Sequence, residues 1–121
     1  MRLMTFLILI SIISSINDKP KCLNCSNENY FSVLVITETE GWVHDSIEAG
    51  LNLIKYLGDK NKFNVYHSNN SRVINYSNLK SIKTLIFLNT TEDILSEDEQ
   101  VVMQKFIQSG NGFVGVHSAS D

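Results

Sequence analysis

Three runs of this chain are apolar with no polar face: Ser-Val-Leu-Val-Ile-Thr at 32–37, Thr-Leu-Ile-Phe-Leu at 84–88 and Phe-Val-Gly-Val at 113–116. A strand with one wet face alternates apolar with polar residues, so runs like these belong to strands covered on both sides, as in a parallel sheet between helical layers. Parallel neighbours need long crossovers, and the segments between the runs have the pattern of helices. Asp45 followed by Glu48 reads as an N-cap with a capping box, opening a helix whose apolar face is Ile47, Leu51 and Ile54, with Gly50, Leu53 and Leu57 beside them. Gly58 is placed to stop it.

A shorter strand follows at 63–67, and the Asn- and Ser-rich stretch at 68–78 reads as a loop or short helix. After the 84–88 strand and a polar loop, Ser96-Glu97-Asp98-Glu99 forms a second capping box with an acidic first turn. Its helix should reach about Ser109, bury Val102, Met103, Phe106 and Ile107, and end at Gly110. The expected class is therefore α/β, a parallel sheet of βαβ units with right-handed crossovers. The fourth strand is apolar on both faces with nothing after it to cover one of them, so the domain is expected to be incomplete on its C-terminal side.

The first residues differ in kind. Met1-Arg2 precedes a nearly all-apolar stretch at 3–16, with Ser11, Ser14 and Ser15 near its end, the layout of a secretory signal peptide cleaved near Ser14 or Ser15. It is shorter than the ~20 apolar residues of a membrane span, although an uncleaved anchor is the other reading. The expected organisation is a signal at 1–16, a polar segment at 17–31 and one domain at 32–121, secreted and without a membrane span once the signal is removed.

Cys22 and Cys25 form a lone CxxC in the polar segment, away from any strand-to-helix turn and without two further ligands. A local disulfide suits that context better than a redox or zinc site. Asn24, Asn69, Asn75 and Asn89 each open an N-x-Ser/Thr sequence, and the middle two lie in a region fit to carry glycans. With 10 Lys and Arg against 13 Asp and Glu, a net charge of -3 and no basic cluster beside aromatics, nucleic-acid binding has no electrostatic footprint.

Three blocks together resemble a known family. Thr39-Glu40-Gly41-Trp42-Val43-His44-Asp45-Ser46-Ile47 is similar to T-x-G-(F/Y)-R-H-D-S-I, Ile86-Phe87-Leu88-Asn89-Thr90-Thr91 to the block that follows it, and Gly110 to Asp121 to G-G-G-(F/L)-V-G-(I/V)-H-(A/S)-A-(S/T)-D. These are marks of the ThuA-like domain, named for a trehalose-utilisation protein and grouped with the class I glutamine amidotransferase-like, flavodoxin-like folds. The resemblance covers about residues 32–121 and implies that a full domain is considerably longer. The chain departs from the pattern at Val43, where the family has Arg.

Amidotransferases of this fold carry a Cys nucleophile at a strand-to-helix elbow. The resemblance puts His117 at that elbow, so thiol-based glutamine hydrolysis has no nucleophile. Ser118 could serve only with a base and an orienting acid within hydrogen-bond reach. His44 and His117 both follow parallel strands at the same end of the sheet and can converge over one crevice with Asp45 and Asp121. Such a group polarises a sugar hydroxyl or exchanges a proton near neutral pH. Two His and two Asp lack a diagnostic metal spacing, and Glu38 and Glu40 in the first loop repel a phosphate, so neither a metal nor FMN is expected.

Asn89, Thr90, Thr91 and Ser118 supply neutral polar groups near Trp42, the combination of hydrogen bonding and an apolar face that a sugar uses. The expected catalytic set is His117, His44 and Asp121. The expected substrate-binding set is Trp42, Asp45, Asn89, Thr90, Thr91 and Ser118. The ligand class is a sugar, keto-sugar or other glycan, and the alternative is a non-catalytic extracellular interaction domain with the same fold. His67 has no partner in the pattern and is expected at the surface.

Overall fold

The 32–37 run forms β1 (Ser32–Ile36), and all five residues are buried, as a doubly covered strand requires. The structure is a computed structural model that describes residues 30–119. The apolar stretch at 3–16, Cys22, Cys25, the acceptor sequence at Asn24 and Asp121 lie outside the described residues. After β1 come α1 (Ile47–Asn61), β2 (Asn64–Ser68), a 3-10 turn (Ser71–Val73), α2 (Tyr76–Leu79), β3 (Ile82–Leu88), α3 (Glu97–Gln108) and β4 (Gly112–Val116).

The four strands make one parallel sheet in the order β2-β1-β3-β4. The chain steps from β1 out to β2, then returns past β1 to β3, so the direction of winding reverses between β1 and β3. This is the flavodoxin-like order, and its ligand crevice lies beyond the carboxyl ends of the strands at that reversal.

One face carries α1, which approaches so closely that a Cβ on Gly50 would lie 2.9 Å from Leu88 Cδ1. The other face carries α2 and α3, whose Leu79, Val102 and Phe106 pack with Leu34, Ile36, Leu85 and Phe87 of the sheet in one core cluster. Among the described residues no helix is long and apolar enough to cross a membrane.

The second capping box forms as the pattern requires: the Ser96 hydroxyl accepts from the Glu99 N–H, and the Glu99 carboxylate accepts from the Ser96 N–H. Gly110 follows α3 at φ +86°, a conformation that costs glycine nothing.

Four expectations need correction. Asp45 does not cap α1; the N-cap is Ser46, and Asp45 is exposed in the preceding turn. Gly58 does not end α1, which continues to Asn61 and stops at Lys62 in the left-handed region at φ 63°. Gly58 is instead buried where helix meets strand: a Cβ there would lie 2.8 Å from Val65 Cγ2 and 2.9 Å from the Phe63 carbonyl oxygen. Ile107 is exposed, because the inward stripe of α3 runs through Val102 and Phe106 and leaves it on the flank. His67 is on the surface of edge strand β2, but it does have a partner: its Nε2 lies 2.8 Å from the Thr37 hydroxyl.

Candidate functional site at the carboxyl ends of the strands

Three loops meet at the reversal point, those leaving β1, β3 and β4. The first two are tied together by backbone. Thr39 and Thr91 form an isolated parallel bridge, and the Glu40 N–H donates to the Thr91 carbonyl at 3.1 Å. The Thr91 hydroxyl then serves twice, accepting from the Gly41 N–H at 3.2 Å and donating to the Trp42 carbonyl at 3.2 Å. The backbone is held while the Trp42 side chain stays 74% exposed.

Asn89 turns the chain out of β3. Its φ of +52° is left-handed, which Asn tolerates better than other side chains. It is only 3% exposed, and its groups are all directed inward. Its N–H donates to the Val116 carbonyl at 3.2 Å, and its Nδ2 donates to the Ser46 hydroxyl at 2.7 Å. Ser46, although at the N-cap, makes no side-chain cap bond to α1, because its backbone at φ -79° and ψ -4° is helical and not the extended conformation a capping residue adopts.

The β4 loop supplies the titratable centre. His117, directly after the strand, has φ +59°, a left-handed conformation that is strained for a residue with a bulky side chain. The His117 ring lies 4.5 Å from the His44 ring, centroid to centroid, at an interplanar angle of 57°. The Ser118 hydroxyl is 3.2 Å from His44 Nε2. His44 is held from its own side as well, since its carbonyl accepts from the Ile47 N–H at 3.2 Å where α1 begins.

The structure thus brings together His44, His117 and Ser118, with Asn89 beneath them and Thr91 fixing the Trp42 loop. Thr90 is buried and faces a hollow of about 200 Å³ on the α3 side, shared with Ala119, Met103 and Phe113. Asp45 is exposed, and no hydrogen bond joins it to the histidines among the described residues. Asp121 lies outside those residues. A larger hollow of about 440 Å³ runs between β2 and α2, lined by Tyr66, Ser77 and Asn78. Its lining also includes His67, but neither His44 nor His117.

Residue patterns did not reveal Ser46 or the roles of Thr91 and Ser118 in holding their neighbours. For Ser46 a competing signal was responsible: the spacing from Asp45 to Glu48 fits a capping box, but Ser46 has Ala49 three residues on. No group of three or more His, Cys, Asp or Glu side chains fit to hold a metal gathers among the described residues. The rim also lacks a cation where the family pattern has Arg, since Val43 is exposed there.

A parallel sheet in the order β2-β1-β3-β4 with helices on both faces is a flavodoxin-like fold of the class I glutamine amidotransferase-like type. Within that class the chain belongs to the ThuA family, described as trehalose utilisation, which it matches over residues 32–121. In its fold it is similar to the crystal structure of a ThuA-like protein from Bacteroides uniformis, with a TM-score of 0.58 and 20% sequence identity. The match covers 75% of this chain and 37% of that one, so the chain spans little more than a third of that protein. A search of the curated proteins gave no match. Membership of a trehalose-utilisation family associates the chain with carbohydrate.

Proposed function

We propose that the crevice between Trp42 and the His44–His117 pair binds a sugar or keto-sugar ring, and that the two imidazoles act on it as acid and base. The observation that carries this is the 4.5 Å imidazole pair at the reversal point of the sheet, presented by a strained turn, with an exposed indole two residues before His44 in the chain. Backbone strain at a functional turn is maintained only when surrounding structure holds it in place. An imidazole exchanges protons near neutral pH, and an aromatic face stacks on the apolar face of a sugar ring. His44 and His117 then bear on a hydroxyl, or on the carbon beside a carbonyl, of the bound ring.

Trp42 is the only tryptophan of the chain, so its fluorescence reports on the site directly. Titration of the protein with trehalose, glucose and their keto derivatives is expected to change that fluorescence saturably. His117→Ala should weaken the response about tenfold or more, the loss of a charge-assisted hydrogen bond. A flat titration with every sugar would overturn the reading.

The exposed Trp42 and Val43 favour one alternative, a non-catalytic domain that meets another extracellular protein through this loop. In that case glycans leave the fluorescence unchanged and Trp42→Ala abolishes capture of the partner. Secretion is part of the same proposal, on the strength of the apolar stretch at 3–16, and fusing residues 1–31 to a reporter tests it.

A further inference from the structure

We propose that the segment at 89–91, where the chain leaves β3, is a clamp that places His44 opposite His117, with Asn89 and Thr91 as positioning residues for the imidazole pair. This rests on the reading of that pair as the functional centre. The segment that carries His44 is tied on both sides of the histidine, and both ties come from this one place. Before His44, the Thr91 hydroxyl accepts from the Gly41 N–H and donates to the Trp42 carbonyl, each at 3.2 Å. After it, the Asn89 amide is bonded to the Ser46 hydroxyl at 2.7 Å. Asn89 reaches the other histidine as well, because its N–H donates to the carbonyl of Val116, directly before His117, at 3.2 Å.

The partners of Thr91 settle what its hydroxyl does: an N–H only donates and a carbonyl only accepts, so its single proton is committed to Trp42. The Asn89–Ser46 bond is a tie whichever group donates, since an amide and a hydroxyl each do both. Asn89 and Thr91 are buried, so their side chains are engaged by the protein and closed to a ligand. Asn89 also has a left-handed backbone at φ 52°, a conformation kept in a non-glycine residue only where its surroundings hold it. The ring contact at 4.5 Å and the bond from Ser118 to His44 act between side chains, whereas the clamp acts on the segments that carry them. A ring contact alone does not offset the entropy of ordering a loop.

NMR of the ligand-free chain tests this through the nuclear Overhauser contact between the ring protons of His44 and His117. Thr91→Val keeps the shape and loses the hydroxyl, and Asn89→Gly keeps the left-handed turn without strain and loses the amide. Each should lose most of the ring contact. Ser46→Ala, at an exposed position, removes the Asn89 tie from the other side and should do the same. Thr91→Ser, which keeps a hydroxyl, should retain the contact. The fluorescence anisotropy of Trp42, the only tryptophan, should fall in Thr91→Val and recover in Thr91→Ser. Circular dichroism and unfolding of the same variants separate these effects from loss of fold. Sugar binding by Asn89→Gly should be roughly fivefold weaker, as the share of molecules with the pair assembled falls by the strength of one hydrogen bond.

An undiminished ring contact in folded Asn89→Gly and Ser46→Ala proteins would overturn the proposal, whether or not sugar binds. Weaker sugar binding with the ring contact intact would also overturn it, by showing that these residues meet the ligand themselves. Loss of the ring contact in the variants, with no sugar bound by the parent, would uphold the clamp and count against the sugar reading alone.

Discussion

His67 shows how much a single residue's role depends on what folds against it. In the sequence it ends a short strand among polar neighbours, and nothing near it in the chain suggests a partner. In the fold it meets Thr37, just past the end of β1 and thirty residues away, while burial and the charge of Lys55 on α1 both act against its cationic form. Desolvation is the larger cause, and the pKa is lowered from 6.5. The sign follows from linkage: below 6.5 the unfolded chain takes up a proton that the folded chain resists, so stability should fall as the pH drops through and below that value. Above it the residue contributes no pH dependence. His67→Gln, neutral at every pH, should flatten that part of the profile, which thermal unfolding measured from about pH 8 to about pH 5 would reveal. An equal slope in both proteins would contradict this. Asn89 is a similar case: its place after an apolar strand is legible, but its inward bond to Ser46 depends on where α1 begins.

At the scale of elements, a signal that rests on one stretch of chain can translate directly or fail: the capping box of Asp45 and Glu48 does not form. The capping box at Ser96 and Glu99 is local and forms as its spacing requires. Gly58 obeys a different constraint. A glycine near the end of an apolar helical stripe has the form of a stop signal, yet here α1 passes through it and uses the missing side chain to approach β2. Sequence alone does not separate these two uses, because the second depends on Val65 and Phe63 being opposite. The difference has a measurable sign. Ala favours a helix interior over Gly by about 1 kcal/mol, so an unobstructed Gly58→Ala change would stabilise. With a backbone oxygen at 2.9 Å and a stiff Val methyl at 2.8 Å, neither of which gives way easily, overpacking should win and cost roughly 1–3 kcal/mol net. Gly50→Ala meets mainly the flexible ends of Leu88, so it should cost less. Urea unfolding of both variants orders them, and a Gly58→Ala protein as stable as the parent would refute the close-packing account.

For the molecule as a whole, the demand that doubly apolar strands be covered on both sides is met unevenly. β1 and β3 lie inside the sheet with helices on both faces, whereas β4 is an edge strand whose Val114 and Val116 remain 45% and 36% exposed. The parallel class was therefore legible from composition along the strands, while the strand order, and with it the meeting of His44 and His117, required the crossovers to be placed in space. The exposed side of β4 is continuous with one flank of α1. Gly50, on that flank, touches Leu88 of β3, and Leu53 and Leu57 follow it at helical spacing, both exposed. Gly58, on the other flank, touches Val65 of β2. The open edge of β4 has no charge, proline or bulge to keep another strand away, unlike the polar edge strand β2 with Asn64, His67 and Ser68. An unprotected apolar edge of this kind pairs with whatever strand is at hand. The 121-residue chain should accordingly self-associate in a concentration-dependent way, and Val114→Lys should shift it towards monomer while leaving its circular dichroism unchanged. Both proteins carry the same apolar N-terminal stretch, so a difference in their sedimentation reports on β4 alone. If the two sediment alike, the edge is not what drives association, and the exposure of Val114 is tolerated as it stands.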